Sequence, residues 1–368
     1  MSDKENSAKQ LTRVPTVKEV AARAGVSTAT VSRALSGSAG VREPLRSRVL
    51  EVAQSLAYRP NRAARDLRVR SSRAVGVLIP DIENPFYTSI VCGIEDVLRK
   101  TDYSLLLANY NEDPEQEARR LEVFRAEGVR GLIFAASRVP SGLYGELVKS
   151  GMALVAVSRV PARLRIDQVT VANREGACAA TSHLIRLGHL RVGIINGPLV
   201  LSTARDRQTG YEDALREAGL PIDENLIVHC AFKQQAGYAA MQQLLGLATP
   251  PTAVFAGSNL LTLGALQAIH ERDLDIPRQI AIVGFDDLPW AISLRPPLTT
   301  VAQPAFEAGR TAAELLLLRV HHPGWPRRQV VLETRLIVRS SCGSEKTAQQ
   351  AARAETPGSR DEREPLSS

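Results

Sequence analysis

The spacing of the hydrophobic positions changes near residue 73. Before that point apolar residues recur every three or four positions in short blocks, which predicts short amphipathic helices. After it, short apolar runs alternate with longer stretches of helical spacing. Because alternating strands and helices build parallel sheets with helices on both faces, this second region is expected to be α/β. The chain is therefore predicted to consist of an all-α head and an α/β body.

Three short helices are predicted in the head. Thr16 and Glu19 have the spacing of a capping box at the start of the first helix, and Gly25 suits its end. Ser27 is the expected N-cap of the second helix, which ends near Gly37. A third helix is expected to begin near residue 43 and to end near residue 58. Two short helices joined by a turn that contains glycine form the helix-turn-helix pattern.

The body is predicted to contain eight strands and seven helices. The strands are expected at 74–79, 104–108, 131–134, 153–157, 192–195, 253–256, 280–285 and 298–301. The helices are expected near 86–99, 114–127, 174–187, 205–218, 235–245, 260–271 and 306–319. Residues 75–79 and 191–195 share an apolar-Gly-apolar core, so each is expected to open one of two doubly wound lobes with a cleft between them. In such sheets ligands bind at the carboxyl ends of the strands.

The composition is that of an ordinary globular protein and argues against several classes. A length of 368 residues predicts two to three domains, with a core that needs no disulfide or metal. The four cysteines form no CxxC pair, which argues against a disulfide framework and a thiolate zinc site. No apolar run is long enough for a membrane helix and the N-terminus does not resemble a secretory signal, so the expected compartment is the cytoplasm.

The net charge of +7 is concentrated in the head. Residues 1–73 contain fifteen Lys and Arg against six Asp and Glu, a balance of +9, whereas residues 74–368 carry −2. A basic module on a near-neutral body indicates a polyanionic partner, nucleic acid before membrane, although small basic domains are often merely soluble.

The second helix of the head is the expected reader of DNA. Its early outward residues Thr28, Ala29 and Ser32 are small enough to let the helix enter the major groove. Arg33, one turn on, is long enough to bind guanine O6 and N7, or else it is a solvated surface arginine. Phosphates are expected to be held by basic residues and by the hydroxyls of Thr16, Ser27 and Thr30.

The longer motif that contains these residues is more specific. It runs from Val17-Lys18-Glu19-Val20-Ala21 through Ala24-Gly25-Val26-Ser27, Thr30-Val31-Ser32-Arg33 and Leu56-x-Tyr58-x-Pro60-Asn61 to Ala64-x-x-Leu67. This motif resembles the DNA-binding head of the LacI/GalR family of bacterial repressors. The resemblance implies that Asn61, Ala64 and Leu67 belong to a hinge that becomes helical on operator DNA, where Leu67 wedges into the minor groove. Leu67 as a linker leucine packed on the core is the alternative. Arg42 departs from the small polar N-cap usual in the family, so the third helix is expected to start less firmly or Arg42 to contact a phosphate.

The body carries matching motifs of the same family over residues 75–341. They are Pro80-Asp81-Ile82-x-Asn84-Pro85-Phe86-Tyr87, His183-Leu184-x-x-Leu187-Gly188-His189, Arg207-x-x-Gly210-Tyr211, Leu263-Gly264-Ala265-Leu266, Val283-Gly284-Phe285-Asp286-Asp287 and Pro297-Leu298-Thr299-Thr300-Val301-x-Gln303-Pro304. The implied architecture is two lobes of periplasmic-binding-protein type. The resemblance makes Arg207 and Asp286 the main polar ligands of an effector. It also places five further residues in the same cleft, namely Phe86, Tyr87, Thr209, Phe232 and Asn259.

The chemistry of these residues fits a sugar. Arg207 offers several donors in a fixed plane, and Asp286 accepts from two adjacent hydroxyls. Two alternatives stay open: Asp286 as a cap of its loop, a role for which Asp287 is better suited, and Phe232 as plain core. Ser158 stands where family members often carry an acid, and Ala172 stands where Asp is usual. Because Arg159 and Arg207 are kept while these acids are lost, we expect an anionic effector, such as a sugar acid or sugar phosphate.

The chain is thus divided into five predicted segments. They are a disordered N-terminus (1–13), a helix-turn-helix domain (14–60), a hinge helix and linker (61–73), an effector-binding and dimerisation domain (74–343) and a disordered tail (344–368). The first lobe is expected to comprise about 74–172 and 303–328, and the second about 173–302 and 329–343.

The expected function is that of a sequence-specific DNA-binding regulator, as a rule a repressor, which responds to a carbohydrate-derived effector. The resemblance implies a homodimer on a pseudo-palindrome, because the two-fold symmetry of such a protein is matched by two half-sites. No cofactor, metal or catalytic residue is predicted, since His183 and His189 do not share a helix face and no catalytic motif occurs. Two alternatives are a transport-type binding protein, against which the complete head argues, and an enzyme on the α/β body, for which no nucleophile–base set is visible.

Overall fold

A computed structural model of the chain describes residues 15–35, 40–58, 73–137 and 141–343. The chain divides into two compact units, and the boundary along the sequence lies between residues 72 and 73. The segments predicted to be disordered, 1–13 and 344–368, lie outside the described residues, and so do the hinge residues 61–72.

The described part of the head consists of the helices α1 (Val17–Ala24), α2 (Thr28–Leu35) and α3 (Glu43–Ser55). The capping box is confirmed: Glu19 N–H donates to Thr16 Oγ1 at 3.4 Å, and the Glu19 carboxylate accepts from Thr16 N–H at 2.8 Å. Gly25 ends α1 with φ +69°, a left-handed conformation that glycine adopts without steric cost. Arg42 precedes α3 without a side-chain capping bond, as expected from its departure from the usual N-cap.

The apolar stripes of the three helices form one small core. Val20 and Ala24 of α1 meet Val31 and Ala34 of α2 and Val49 of α3, and all five are buried. Because these side chains are small, the helices pack closely, and this packing fixes which side of α2 remains exposed.

The first lobe is built on a six-stranded parallel sheet. Its strands are β1 (Ala74–Ile79), β2 (Ser104–Asn109), β3 (Gly131–Phe134), β4 (Ala153–Val157), β5 (Asp167–Val171) and, much later in the chain, β11 (Gln329–Leu332). One face packs against α4 (Pro85–Leu98) and α11 (Ala305–His321), and the other against α5 (Pro114–Ala126) and α6 (Ser141–Lys149).

The second lobe repeats this plan with another six-stranded sheet. Its strands are β6 (Val192–Asn196), β7 (Ile227–His229), β8 (Ala253–Ala256), β9 (Ala281–Phe285), β10 (Thr299–Ala302) and β12 (Arg335–Ile337), the last antiparallel to β10. One face packs against α9 (Gln234–Leu245) and α10 (Asn259–Glu271), and the other against α7 (Asn173–Arg186) and α8 (Ser202–Glu217).

Strand order explains where a ligand can bind. The order is β2-β1-β3-β4-β5 in the first lobe and β7-β6-β8-β9-β10 in the second, which confirms the predicted doubly wound fold class. The winding reverses beside β1 and beside β6, so the loops at the carboxyl ends of neighbouring strands diverge there and leave a crevice. The residues that follow these strands therefore face a common cleft.

The chain passes between the lobes three times, after β5, after β10 and between β11 and β12. The assignment of 329–343 to the second lobe is wrong for residues 329–332, because β11 pairs in parallel with β5 of the first lobe. Two crossings are tied together: Thr334 Oγ1 donates to Ala172 O at 3.1 Å, and Ala172 N–H donates to Leu332 O at 2.9 Å.

Four strands and one helix are absent from the sequence prediction, namely β5, β7, β11, β12 and α6. These strands are short and only partly buried, so they lack the continuous apolar runs that mark equally short strands such as β3 and β8. They form because the buried strands already present hydrogen-bonding edges, which is a tertiary effect. Among the described residues, no helix is both long enough and apolar enough to cross a bilayer.

Candidate functional site

The exposed side of α2 carries the residues predicted to read DNA. Ala29 and Arg33 are exposed and Thr28 and Ser32 are half-buried, whereas Val31 on the opposite side is buried. The predicted orientation of the helix is therefore confirmed. The contact with bases itself stays a prediction.

The hydroxyls predicted to hold phosphates have local partners. Ser27 Oγ accepts from Thr30 N–H at 3.2 Å and lies 2.9 Å from Thr30 Oγ1, so Ser27 caps α2 as expected. Thr16 caps α1. These caps place both hydroxyls at helix N-termini, where backbone N–H groups and the helix dipole favour an anion. The hinge residues Asn61, Ala64 and Leu67 lie outside the described residues.

The cleft of the body lies at the carboxyl ends of the strands of both lobes. It is lined by ten residues, namely Asn84, Phe86, Tyr87, Ser158, Thr203, Arg207, Phe232, Ser258, Asp286 and Gln303. The space between them is about 20 Å³, enough for one water molecule. Six of the nine predicted effector residues line this space, so the structure brings them together.

Asp286 follows β9 and has a strained backbone, with φ +79°. Its Oδ2 accepts from Asn259 N–H at 3.0 Å and from Asn259 Nδ2 at 2.8 Å, and its Oδ1 accepts from Gln303 Nε2. The neighbouring Asp287 instead forms a two-bond ion pair with Arg339, at 2.7 and 2.9 Å. Asp287 therefore fixes its loop, whereas Asp286 lines the cleft and binds Asn259 and Gln303. A contact of Asp286 with an effector stays a prediction.

Ser158 occupies the equivalent place in the first lobe. It follows β4 with φ +64°, and its N–H donates to Val169 O at 2.9 Å just as Asp286 N–H donates to Val301 O at 2.9 Å. Left-handed backbone in residues other than glycine costs free energy and concentrates at functional sites. Its occurrence at matching positions of both lobes supports a binding role for this part of the cleft.

Arg207 is buried in the second lobe and held on three sides. Its Nε donates to Asn173 Oδ1 at 2.8 Å, its Nη1 donates to Gly257 O at 2.5 Å, and its guanidinium carbon lies 3.7 Å from the ring centre of Phe285. Burial lowers the pKa of Arg207 to about 10, although the carboxylate of Asp286 opposes this shift. The side chain therefore stays charged and oriented towards the cleft at neutral pH.

Thr209 does not line the cleft. Its Oγ1 donates to Arg205 O, one turn earlier in α8, at 2.9 Å. Residues two apart on a helix point to nearly opposite sides, whereas residues four apart share a face. Thr203, four residues before Arg207, is accordingly the threonine of α8 that lines the cleft.

Phe232 lines the cleft and is also largely buried, so both roles foreseen for it apply. The ring lies directly against Gly197 in the loop after β6, where a Cβ would come within 2.2 Å of a ring carbon. Only glycine leaves room for the aromatic ring at this place.

Arg159 lies behind the cleft and does not line it. Its two terminal nitrogens donate to the carboxylate of Glu112 at 2.7 and 2.8 Å, and its side chain is 4% exposed. The guanidinium carbon lies 5.7 Å from the ring centre of Tyr87 and 5.3 Å from that of Phe232. Since Glu112 neutralises Arg159, the argument for an anionic effector loses one of its two cations.

Two buried acceptors beside Asp286 have no hydrogen-bond partner among the described residues. They are Asn259 Oδ1 and Gln303 Oε1. Buried polar atoms are nearly always paired in folded proteins, and an unpaired one costs about 1–3 kcal/mol. Both atoms can only accept, so a group that satisfies them must donate, as a hydroxyl or amine does and an ionised carboxylate does not.

Direct bonds join the two lobes across the cleft. Lys233 Nζ of the second lobe lies 2.7 Å from Asp81 Oδ2 and 3.0 Å from Asn111 Oδ1 of the first. Asn259 Nδ2 also donates to Asn84 Oδ1 at 2.9 Å. Sequence patterns do not identify Lys233, Asn111 or Glu112, because their partners lie far away along the chain.

His183 and His189, which are not predicted to bind a metal, contact other side chains. His183 Nε2 lies 3.2 Å from Cys342 Sγ, and His189 Nδ1 lies 3.1 Å from Thr252 Oγ1. Within the described ranges, no three His, Cys, Asp or Glu side chains converge as a metal site requires.

Comparison with known families matches both units of the chain. A model described as bacterial regulatory proteins, lacI family, matches residues 16–61, and one described as a periplasmic binding protein-like domain matches residues 181–342.

Three individual proteins are similar over almost their whole length. The ribose operon repressor of Haemophilus influenzae is 35% identical over 328 residues, which are 89% of this chain and 98% of that protein. The complex of the transcriptional regulator CelR with cellobiose is 32% identical, covers 89% of this chain and 99% of its own, and superposes with a TM-score of 0.69. The lac repressor dimer bound to operator and the anti-inducer ONPF is 25% identical, covers 90% and 99%, and has a TM-score of 0.79.

Proposed function

The chain belongs to the LacI family of bacterial regulatory proteins and is a DNA-binding transcriptional repressor under small-molecule control, and we propose that its effector binds in the cleft around Arg207 and Asp286. The observation that carries this proposal is the convergence of strained and unpaired polar groups from both lobes. Ser158 and Asp286 have left-handed backbone, and the acceptors of Asn259 and Gln303 lack partners.

The effector class follows from the lining. Aromatic faces from Phe86, Tyr87 and Phe232 surround a few fixed donors and acceptors, as in sites that bind sugars or nucleosides. Arg207 donates to a ring or hydroxyl oxygen, and Asp286 with the two unpaired acceptors receives hydroxyl hydrogens. A carbohydrate-derived ligand meets both demands. CelR bound to cellobiose and the ribose operon repressor are relatives with sugars in their names.

The DNA-binding roles are assigned to the head and the segment after it. Arg33 reads a base edge, Thr28, Ala29 and Ser32 allow α2 into the major groove, and Thr16, Ser27 and Thr30 contact phosphates. Asn61, Ala64 and Leu67 act as the hinge in the minor groove. The protein acts as a homodimer on a pseudo-palindromic operator, in the cytoplasm where the bacterial chromosome lies.

Coupling between the cleft and DNA follows from lobe closure. Three chain crossings join the lobes, and two are tied together through Thr334 and Ala172. A ligand that bridges the lobes changes the angle at these crossings and so the separation of the two hinges of a dimer. Such couplings are typically worth about 1–3 kcal/mol, or 5- to 150-fold in affinity.

Operator selection tests this proposal. The full chain would be used to enrich binding sites from random DNA, and the affinity for the selected site would then be measured with pentoses, hexoses, disaccharides and nucleosides. We expect enrichment of a two-fold symmetric site and a five-fold or larger affinity change with at least one ligand. Asp286→Asn should keep operator binding and lose the response. Failure to enrich any sequence would contradict the DNA assignment, and turnover of a ligand would favour an enzyme instead.

A further inference from the structure

We propose that Glu112 is a specificity-determining residue of the cleft: its carboxylate neutralises the guanidinium of Arg159, so the cleft accepts neutral hydrogen-bond donors and disfavours ligands that carry a carboxylate or phosphate. This inference rests on the proposed function, since it concerns the ligand of the same cleft. It replaces the expectation of an anionic effector, which counted Arg159 as an unpaired cation.

The pair is too well formed and too deeply buried to be a loose surface contact. Both terminal nitrogens of Arg159 donate to Glu112, at 2.7 and 2.8 Å, and the side chains are 4% and 21% exposed. Burial by itself lowers the pKa of Arg159, but Tyr87 and Glu112 more than offset this and raise it. The guanidinium therefore stays charged, and its charge is balanced inside the protein instead of by solvent.

The loop that presents Glu112 is built for this position. Asn111 and Glu112 both have left-handed backbone, with φ +51° and +60°, which residues other than glycine adopt at a cost. Glu112 N–H donates to Pro80 O at 3.0 Å, and the hydroxyl of the neighbouring Tyr110 donates to Ala135 O at 2.9 Å. The loop thus holds Glu112 in a fixed place and turns Asn111 towards Lys233.

The charge of Arg159 bears on the ligand because only one aromatic layer separates them. Tyr87 and Phe232 line the cleft on one side and contact the guanidinium on the other. The charge of Arg159 also lowers the pKa of Arg207, which lines the cleft, so this charge acts on groups at the ligand site. Two further cations near the cleft are also balanced by acids: Lys233 forms an ion pair with Asp81, and the carboxylate of Asp286 raises the pKa of Arg207. Each of these cations therefore has an acid that balances it, and the unpaired amide oxygens of Asn259 and Gln303 repel an anion.

The first experiment measures selectivity between ligands of matched shape. Binding of glucose against glucuronate and of ribose against ribose 5-phosphate would be measured by calorimetry on the full chain. We expect the wild type to favour the neutral member of a pair, and Glu112→Gln to shift the acid-to-neutral affinity ratio at least tenfold towards the acid. Glu115→Gln, which removes an exposed carboxylate three residues away, should leave the ratio unchanged.

A double variant separates charge from structure. Glu112→Gln with Arg159→Met removes both charges, so the ratio should return to the wild-type value even if overall affinity falls. A merely structural role of Glu112 would leave the ratio unmoved in the single variant. That result, or a wild type that prefers the acidic member, would overturn the proposal.

A second experiment needs no effector. Glu112→Ala leaves Arg159 without its carboxylate and opens space for a small one, so formate should raise the Tm of this variant more than chloride at equal ionic strength. The double variant Glu112→Ala with Arg159→Met should not respond to formate. If formate and chloride change the Tm of Glu112→Ala equally, the proposal is wrong. The formate response tests the pairing on which the proposal depends, the affinity ratio tests its effect on ligand choice, and the proposed function is judged separately by operator release.

Discussion

At the scale of single residues, two arginines show that the hydrogen-bond partners of a side chain decide whether it can bind an effector. Arg159 follows the end of β4 and Arg207 lies in α8, and both are predicted to bind an effector. Arg207 reaches the cleft, held by Asn173 and Gly257, whereas Arg159 is neutralised by Glu112 behind two aromatic rings. The motif predicts that Arg207 lies in the cleft, and the structure has it there, but no motif contains the pair of Glu112 and Arg159.

Arg207→Lys tests the importance of the planar guanidinium. Lysine keeps the charge but cannot reach Asn173, Gly257 and a ligand at once, so we expect at least a tenfold loss of effector affinity with operator binding retained. Calorimetry and a mobility-shift assay measure the two quantities. Arg205→Lys, exposed on the same helix, is the control, and an unchanged effector affinity in Arg207→Lys would refute the assignment.

Arg33→Ala tests base reading. We expect it to relax the preference at one base pair of each half-site by about 1–3 kcal/mol, because a two-bond contact with guanine is lost. Selection of binding sites from random DNA measures the preference. Arg23→Ala, at the exposed end of α1, should weaken binding without changing the selected sequence. If Arg33→Ala selects the same sequence as wild type, Arg33 contacts only phosphate.

Glu117 provides a test by pH. Burial raises the pKa of this carboxyl, against the opposing hydrogen bonds from Ser137 and Tyr144. Because the folded-state pKa lies above the unfolded value, the contribution of Glu117 to stability is complete below about pH 4 and is lost as the pH rises through the raised pKa. We therefore expect the wild type to lose free energy of unfolding relative to Glu117→Gln as the pH rises above about 4. Urea unfolding measures this difference, and Glu146→Gln on the exposed side of α6 should show no such trend.

At the scale of elements, local signals were reliable where a cap or a long apolar stripe existed. The caps of α1 and α2 occur as predicted, because a capping box involves residues only three apart. Strands β5, β7, β11 and β12 escaped prediction because they form on an edge supplied by other strands. Residues 329–332 are assigned to the wrong lobe for the same reason, because β11 forms on the edge of β5.

The hinge is the element that carries the sharpest prediction about DNA. We expect Leu67→Ala to weaken operator binding at least tenfold with little change in Tm, because the variant loses the wedge that holds the minor groove open. Mobility-shift titration and thermal unfolding measure the two effects. Leu50→Ala, an exposed leucine of α3, should alter neither. If Leu67→Ala instead lowers the Tm and leaves the operator affinity unchanged, Leu67 is a linker leucine packed on the core.

At the scale of the whole molecule, the body is a repeated fold closed around one cleft. Both sheets have the same strand order, and both place a left-handed residue after the equivalent strand, Ser158 and Asp286. The lobes touch through Lys233 with Asp81 and through Asn259 with Asn84. These contacts exist only when the lobes are close, so they bias the equilibrium that an effector also shifts.

Lys233→Met tests this bias. The variant leaves the buried carboxylate of Asp81 without its cation in the closed arrangement, which is costly, so we expect a roughly three- to tenfold loss of affinity for an effector. Calorimetry with a ligand found in the operator-release screen measures this loss. Adding Asp81→Asn should recover part of the affinity, and Lys149→Met, exposed at the end of α6, should have no effect. Unchanged affinity in Lys233→Met would show that the ion pair does not contribute to closure.

The sequence by itself determined the all-α head, the alternating strands and helices of the body, and the position of the cleft at strand ends. These follow from periodicity, caps and short motifs, which are properties of a few neighbouring residues. Only the tertiary structure decided which charges of the cleft are balanced and which acceptors are left unpaired. Glu112 and Arg159 are 47 residues apart, and Asp81 and Lys233 are 152 apart. The first pair depends on the order of the strands in one sheet, and the second depends on two sheets that the chain connects by three crossings. No local pattern encodes either pair.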